Sequence, residues 1–331
     1  MNKIRMAIIG CGGYAGAHAR RLKEREDVVI AALCSRHEES IENLISRRLS
    51  DYPAPIQKYT STAEMYKNAD LDGVVICTPH DLHFPQAAEA LDRGCHALIE
   101  KPMVTSLKEA RELKRISREH GSLKIGVCYN TAYAPGLDPV RSALKDGRYG
   151  KLELITAYLA QNWKTLTAGS WRQDPEVSGG GQIVDSGAHL AHSILSLAGA
   201  DPEEVFAYSA NNGGDVDVNS VISIRFKNGV FASVTVGGNS VPDGSFAAFI
   251  FEKGRIEADA WRGEWCREIG EDGTVTEHTD FPEANPDANF IDAVLGKDEL
   301  KAGAADGLTA AAFTEAVFRS VREGKPEKAE L

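Results

Sequence analysis

The sequence lacks any apolar run that approaches the ~20 residues a transmembrane helix needs. It also lacks an excess of positive charge, since 37 Lys and Arg stand against 48 Asp and Glu, for a formal net charge of −11. This charge disfavours binding to nucleic-acid phosphates and to anionic membrane surfaces. No hydrophobic signal-peptide region precedes the first apolar segment. We therefore expect a cytoplasmic protein that binds neither nucleic acid nor membranes.

Paired cysteine motifs are absent as well. None of the six cysteines is spaced as C-x-x-C, and five of them lie in or beside apolar runs of the first half of the chain. This pattern favours reduced, buried thiols over a disulfide framework or a zinc cluster. No internal repeat or low-complexity segment is visible, and 331 residues suffice for two domains.

The first part of the chain alternates between apolar runs and helical patterns. Strands are predicted at 4–9, 28–34, 73–77, 96–99 and 124–128, with helices between them. Such alternation is typical of an α/β fold with a doubly wound parallel sheet. We therefore predict an N-terminal Rossmann domain over residues 1–128.

The period of the pattern changes to two after about residue 150. Residues 218–226 and 230–236 read as a hairpin around Asn228-Gly229, and 152–161, 204–210 and 246–251 read as further strands. This predicts a second α/β domain, residues 129–331, with a large, mostly antiparallel open sheet. Apolar residues on both faces of that sheet indicate that one face covers its own helices and the other meets a partner subunit.

A glycine-rich turn joins the first predicted strand to the first predicted helix. It reads G-x-G-x-x-A and supplies five candidate cofactor contacts: Gly10, Gly12, Gly13, Tyr14 and Ala15. A strand, such a turn and a helix in this order seat a pyrophosphate on the helix N-terminus.

The end of the second strand bears on the choice of cofactor. NAD enzymes usually carry an acid there for the ribose 2′-hydroxyl, but this chain has Ser35 and Arg36. Ser35 can donate to a 2′-phosphate and Arg36 can pair with it, which favours NADP. The alternative is that Arg36 stacks on the adenine while NAD binds.

The tripeptide Glu100-Lys101-Pro102 follows the strand at 96–99. Ligands of open parallel sheets lie outside the carboxyl ends of the strands, so Lys101 is predicted to share a crevice with the cofactor. The alternative is a lysine at a strand end that points into water. Whether the Lys101-Pro102 bond is cis cannot be read from the sequence.

A second constellation begins with Gly179-Gly180-Gly181 and continues to Asp185, His189 and His192. In a helix that begins near Asp185, the last three residues would share one face. A histidine beside a carboxylate is a common proton acceptor for an alcohol. The same spacing also suits metal ligands or histidines that fill a helix interface, although the ammonium of Lys101 would disfavour a metal cation.

These motifs together resemble the glucose-fructose oxidoreductase/inositol dehydrogenase (Gfo/Idh/MocA) family. The resemblance rests on the glycine-rich turn, Glu100-Lys101-Pro102 and the Asp185-to-His189 segment, together with Cys77-Thr78-Pro79 followed by His83, and with Ala305-Asp306-Gly307. It implies a catalytic Lys101 with Asp185 and His189, and cofactor contacts that include Thr78, Pro79, His83 and Glu100. It also implies dimers or tetramers formed through the sheet face. The chain departs from the family at His80, where many members carry Asn, and at His192, where many carry Asp.

The predicted function is NAD(P)-dependent hydride transfer to or from a secondary hydroxyl of a cyclic sugar, inositol or related polyol. His189 would take the hydroxyl proton, Lys101 would stabilise the alkoxide, and Asp185 would orient the substrate. Other candidate substrate contacts are Asn130, Trp163, Trp171, Arg172 and His192, although the tryptophans equally suit a core and Arg172 a surface. Two alternatives are a glycosidase or lyase that oxidises its sugar transiently, and a non-catalytic sugar or cofactor sensor.

Overall fold

A computed structural model describes residues 3–331, whose contacts divide them into two compact units. The first unit comprises residues 3–128 together with Pro286–Ala305, and the second comprises Tyr129–Asn285 and Asp306–Leu331. Residues 129–331 were all predicted to belong to the second domain. The structure differs at Pro286–Ala305 because Phe290 and Ile291 are fully buried in the core of the first unit.

The first unit contains a parallel sheet in the order β3-β2-β1-β4-β5-β6. Its strands are β1 Ile4–Ile9, β2 Val28–Cys34, β3 Gln57–Tyr59, β4 Gly73–Ile76, β5 His96–Ile99 and β6 Ile125–Val127. Strands β1, β2, β4 and β5 are almost continuously buried, as expected for a parallel sheet covered on both faces. The predicted Rossmann sheet is confirmed.

Helices connect these strands. They are α1 Ala15–Lys23, α2 Glu38–Leu44, α3 Thr62–Asn68, α4 His83–Asp92 and α5 Leu107–Glu119. Helix α2 continues into a π-helical turn, Ile45–Leu49. Strand β3 and helix α3 were not predicted, since three and seven residues are too few to establish a period.

The second unit is built on a nine-stranded sheet in the order β14-β13-β12-β11-β7-β10-β9-β8-β15. Its strands are β7 Leu152–Ala160, β8 Pro202–Ala210, β9 Asn219–Phe226, β10 Phe231–Gly237, β11 Gly244–Phe251, β12 Gly254–Ala258, β13 Cys266–Gly270, β14 Val275–His278 and β15 Glu327–Lys328. Strands β7 and β10 pair in parallel, and the other pairs are antiparallel. The predicted hairpin is β9–β10, with Gly229 at φ +90° in its turn.

The remaining helices are α6 Asn130–Tyr133, α7 Asp138–Asp146, α8 Trp163–Leu166, α9 Pro175–Ser178, α10 Gly187–Leu197, α11 Pro286–Val294 and α12 Ala304–Glu323. Helix α11 is the segment that packs in the first unit. Helix α10 begins at Gly187, so Asp185 lies in the turn before the helix and not within it.

One face of the nine-stranded sheet forms the core of the second unit. Ile155, Ile222 and Phe249 are buried there with residues of α10 and α12. The opposite face, called the open face below, carries exposed apolar side chains that include Leu154, Tyr158, Tyr208, Val221 and Phe231. Within residues 3–331, no helix is both long and apolar enough to span a membrane.

Candidate active site

The candidate site in the first unit begins where the strand order reverses. Strand β1 pairs with β2 on one side and with β4 on the other. In doubly wound sheets, the loops that follow the strands at such a reversal bind the ligand. The loops after β1, β2, β4 and β5 bring Gly10–Ala15, Ser35–Arg36, Thr78–Pro79 and Glu100–Lys101 to the same edge of the sheet.

The glycine-rich turn has the geometry that a pyrophosphate requires. Gly10 has φ +88°, and a Cβ atom there would lie 2.7 Å from the carbonyl carbon of Cys77. At Gly12 and Gly13, by contrast, a Cβ atom would meet nothing within 4 Å. The turn therefore packs tightly against the loop after β4 on one side and presents bare backbone on the other, which fits a dinucleotide.

Ser35 and Arg36 lie directly after β2. The backbone N–H of Ser35 donates to the Tyr59 carbonyl at 3.0 Å, which fixes the start of the loop. Arg36 is exposed, and its Nε lies 3.2 Å from Nε2 of His37. The nearest following acids, Glu38 and Glu39, belong to the first turn of α2.

The Glu100 carboxylate anchors the backbone beside Lys101. Its Oε2 accepts the Lys101 backbone N–H at 3.2 Å, and its Oε1 lies 3.0 Å from Nε2 of His18 on α1. The Lys101-Pro102 peptide bond is cis. Lys101 itself is partly buried.

His18 and Asp287 form a buried ion pair that sequence reasoning missed. Nδ1 of His18 lies 2.6 Å from Oδ1 of Asp287, and Arg21 donates to Oδ2 at 3.2 Å. Burial opposes a charged ring, but the charge of Asp287 outweighs it and the pKa of His18 rises well above its usual value. Burial likewise opposes ionisation of Asp287, yet His18 and Arg21 hold its pKa below the usual range.

In the second unit, Asp185 is the centre of a polar group. Its Oδ2 accepts from Nε1 of Trp163 at 2.7 Å and lies 3.2 Å from Nε of Arg172. The Arg172 guanidinium also lies over the Trp171 ring, 4.4 Å from its centroid. The structure therefore brings Trp163, Trp171 and Arg172, which were predicted as substrate contacts, together with Asp185, which was predicted to orient the substrate.

His189 lies on the first turns of α10 and contacts α6. Its Nδ1 accepts the backbone N–H of Asn130 at 3.3 Å. This contact places the proton of a neutral ring on Nε2. Thr131 Oγ1 and Ser193 Oγ both donate to the His189 carbonyl, at 3.1 and 3.2 Å.

His192 is buried one turn further along α10. Its ring stacks on Tyr129 with centroids 4.4 Å apart, and its Nδ1 lies 3.1 Å from Thr131 Oγ1. Burial, assisted by the charge of Arg141, lowers its pKa to about 4, although Asp306 acts in the opposite direction. His192 is therefore a neutral ring at physiological pH.

The metal alternative required Asp185, His189 and His192 to converge. Among residues 3–331, potential metal ligands come together at a different place. The ligand atoms of His18, Glu100 and Cys128 all lie within 4.8 Å of one another. The turn before α10 explains the difference, since it directs Asp185 towards Trp163 and Arg172.

Asp217 is a further residue that sequence reasoning missed. Its carboxylate accepts the backbone N–H groups of Gly181 and Ile183 at 2.7 and 2.8 Å. A Cβ atom on Gly181 would collide with the Asp217 carbonyl, which explains the glycine at this position. Burial raises the pKa of Asp217, although the backbone N–H groups oppose this shift. Asp217 thus fixes the loop that leads into Asp185.

The candidate residues are divided between the two units. The cofactor candidates, with Lys101, His83 and Pro79, belong to the first unit. Asn130, Trp163, Trp171, Arg172, Asp185, His189 and His192 all belong to the second.

Comparison with known proteins agrees with this architecture. A family model described as an oxidoreductase family with an NAD-binding Rossmann fold matches residues 4–128, and the model of the GFO/IDH/MocA C-terminal domain matches residues 138–257. The two models together cover more than half of the chain. The chain belongs to the Gfo/Idh/MocA oxidoreductase family.

Curated relatives are similar over different lengths. The rhizopine catabolism protein MocA of Rhizobium meliloti is 27% identical over 61% of this chain and 59% of its own length. The 1,5-anhydro-D-fructose reductase of Ensifer adhaerens is 31% identical over 52% of each chain. The chain thus spans about half to three fifths of these two relatives. The inositol 2-dehydrogenase of Rhizobium meliloti is 26% identical over 97% of both chains.

Solved structures share the fold over the whole chain. Aldose-aldose oxidoreductase from Caulobacter crescentus, complexed with glycerol, superposes with a TM-score of 0.85 at 23% identity, covering 99% of this chain and 100% of that one. Levoglucosan dehydrogenase, in complex with NADH and levoglucosan, gives a TM-score of 0.88 at 18% identity and covers both chains completely. At these identities, the likeness concerns the fold.

Proposed function

We propose that this protein is an NAD(P)-dependent oxidoreductase that transfers a hydride between a secondary hydroxyl of a cyclic sugar, inositol or related polyol and nicotinamide. The observation that carries this proposal is the position of Lys101 at the same sheet edge as the open glycine turn of Gly12 and Gly13. The full-length similarity to an inositol 2-dehydrogenase supports the substrate class.

Bound NAD(P) supplies the nicotinamide ring that accepts or returns the hydride. Lys101 donates a hydrogen bond to the substrate oxygen and stabilises the alkoxide that develops as the hydride leaves. His189 takes the hydroxyl proton. Because Asn130 donates to Nδ1, Nε2 of His189 can accept that proton only in the other tautomer, which requires the 3.3 Å contact with Asn130 to be released.

Asp185 orients substrate hydroxyls. Its carboxylate is held by the indole N–H of Trp163, a side chain that is only 3% exposed, and by Arg172. A carboxylate fixed by two donors accepts further hydrogen bonds in defined directions, as the positioning of a polyol requires. His192 contributes a neutral ring that supports α10, the helix that carries His189.

NADP is the cofactor we favour. Arg36 is exposed directly after β2, and the residues that follow this strand include no acid before Glu38. A guanidinium pairs well with a 2′-phosphate. In the alternative, Arg36 stacks on the adenine of NAD. Removal of the Arg36 side chain would then lower the affinity for NAD and for NADP equally.

Self-association through the open face belongs to the same proposal. Tyr158 is 46% exposed and Tyr208 is 68% exposed on a face whose neighbouring strands carry Phe231 and Val221. Several exposed apolar side chains on one face of a sheet are typical of a protein interface. We propose a homodimer or homotetramer formed through it.

The test is a substrate panel of sugars, inositols and sugar acids, assayed by NAD(P)H absorbance with both cofactors. Lys101→Ala and His189→Ala should each lower kcat by ~10²–10⁴ while leaving the affinity for the cofactor nearly unchanged. The double variant should fall well short of the product of the two losses, because groups that act in one step are not additive.

Lys67→Ala, an exposed lysine on α3, is the matched control and should keep full activity. Wild-type turnover in Lys101→Ala would contradict the proposed role of this lysine. Cofactor that survives purification, with turnover but no net NAD(P)H, would favour a glycosidase or lyase.

A further inference from the structure

Two buried histidines lie on either side of Lys101. His18 contacts Glu100, the residue before the lysine, and His83 contacts Pro102, the residue after it. We propose that His18 and His83 are positioning residues that hold the Glu100–Lys101–Pro102 backbone from both sides and thereby place the Lys101 ammonium. The proposal rests on the function proposed above for Lys101.

His83 lies between two backbone carbonyls. Its Nδ1 lies 2.7 Å from the Pro102 carbonyl oxygen, and its Nε2 lies 3.0 Å from that of Thr78. Carbonyl oxygens only accept, so a neutral ring donates to one carbonyl and contacts the other, and only a ring protonated on both nitrogens donates to both. Burial lowers the pKa of this ring, while the two carbonyls and Glu100 favour the protonated form and Lys101 opposes it. His80 is the other titratable ring nearby, with centroids 5.6 Å apart.

His18 anchors the other side through a carboxylate. Its two nitrogens lie 2.6 Å from Asp287 and 3.0 Å from Glu100, so the imidazolium bridges two acids. The second oxygen of Glu100 accepts the backbone N–H of Lys101. Arg21 supplies a further positive charge through Asp287, and the thiols of Cys77 and Cys128 lie in the same buried group.

A metal site is the other chemistry that these residues offer. His18, Glu100 and Cys128 bring their ligand atoms within 4.8 Å of one another. A histidine ligand must present a neutral nitrogen with a lone pair, however, and both nitrogens of His18 face carboxylates. The contacts therefore favour an imidazolium that anchors Glu100 over a metal ligand.

The anchors tie Lys101 to the elements that bind the cofactor. His18 belongs to α1, which follows the glycine-rich turn, and His83 lies between the Pro102 carbonyl and the Thr78 carbonyl in the loop after β4. A lysine side chain has four rotatable bonds, so only the backbone at its base can be fixed in this way. A misplacement of about 1 Å can cost a catalytic group roughly a hundredfold in rate.

Hydrogen exchange measured by mass spectrometry tests the proposal without any substrate. In His83→Gln and His18→Gln the side-chain amide carries its donors on a single nitrogen, so it cannot contact the two partners that the two ring nitrogens contact. We expect amides of residues 100–104 to exchange about tenfold faster in each variant, the change that follows from losing about 1.4 kcal/mol of local stability. Exchange in β1, β2 and α5 should stay close to the wild type.

His96→Gln is the matched control, because His96 lies at the other end of β5 and accepts the Lys124 backbone N–H at 2.9 Å. The proposal would be overturned if residues 100–104 exchanged as slowly in His83→Gln as they do in the control His96→Gln. Equal loosening throughout the first unit would also overturn it, because it would show a general structural role. His83→Gln touches no buried ion pair, so it keeps the test decisive if His18→Gln does not fold.

A kinetic cycle separates this proposal from the proposed function. With myo-inositol and NADP as probes, His83→Gln should lower kcat about ten- to a hundredfold with little change in the KM for myo-inositol. In a Lys101→Ala background, the same substitution should cost nothing further, because His83 acts through the lysine. A full additional loss would refute the positioning role. Wild-type turnover in Lys101→Ala alone would instead refute the role of the lysine.

Discussion

Asp287→Asn should strongly destabilise the first unit. Asp287 is fully buried and contacts His18 and Arg21, and His18 is also fully buried. Removal of one partner from a buried ion pair leaves an uncompensated charge and typically costs ~3–5 kcal/mol. His18 keeps Glu100 as a second partner, so we expect the lower end of this range, about 3 kcal/mol.

Urea unfolding at mildly acidic pH measures this cost. Hydrogen exchange of peptides from β1 and β5 would follow the first unit by itself. With a denaturant slope of ~2 kcal/mol per molar, the midpoint should fall by ~1.5 M. The control is Asp201→Asn, since the Lys227–Asp201 pair is 57% and 46% exposed. Exposed pairs contribute at most ~1 kcal/mol, so its midpoint should fall by less than ~0.5 M. A midpoint for Asp287→Asn within ~0.5 M of the wild type would refute the argument.

The pH dependence has a defined sign. The pKa of His18 is raised in the folded protein. Its contribution to the free energy of unfolding is therefore complete below its unfolded pKa of about 6.5 and is lost as pH rises through the folded pKa. The pKa of Asp287 is lowered, so its contribution is complete above about pH 4 and is lost as pH falls through the folded pKa. The free energy of unfolding of the wild type should therefore exceed that of Asp287→Asn by the largest amount between about pH 4 and 6.5. A difference that grows above this window would contradict the assignment.

Two further outcomes test the cofactor and the assembly. Arg36→Ala should weaken the binding of NADP by ~1.5–3 kcal/mol, roughly ten- to a hundredfold, and weaken the binding of NAD much less. The control Arg115→Ala, on α5, should change the affinity for neither cofactor. Equal losses of affinity for both cofactors in fluorescence titrations would show that Arg36 only stacks on adenine. Tyr158 lies on the central strand β7, where its ring stacks on Phe246. Tyr158→Glu should convert an oligomer into a monomer, as measured by light scattering at micromolar concentration. The control Leu166→Glu, at a residue that is 74% exposed on α8, should leave the oligomer intact. A wild type that is already monomeric would disprove the proposed interface.

Local sequence patterns were enough to predict the elements that carry the candidate site. The alternation of apolar runs and helices predicted the parallel sheet, and the period-two runs with Asn228-Gly229 predicted the β9–β10 hairpin. The glycine-rich turn and the position of Lys101 after β5 followed from the same patterns. Such features are readable because side-chain period and turn chemistry are properties of neighbouring residues.

The partners of the site residues depended on the tertiary structure. His18 meets Asp287 across 269 positions of sequence, and Asp217 meets Gly181 across 36. Strands β7 and β10 pair in parallel although two strands separate them in the chain, and α11 packs in the first unit although it follows most of the second. The sequence contains many acids and many buried positions, and its periodicity does not specify which of them meet. That choice is made by the packing of whole elements, which decides which polar atoms are buried together and must be paired.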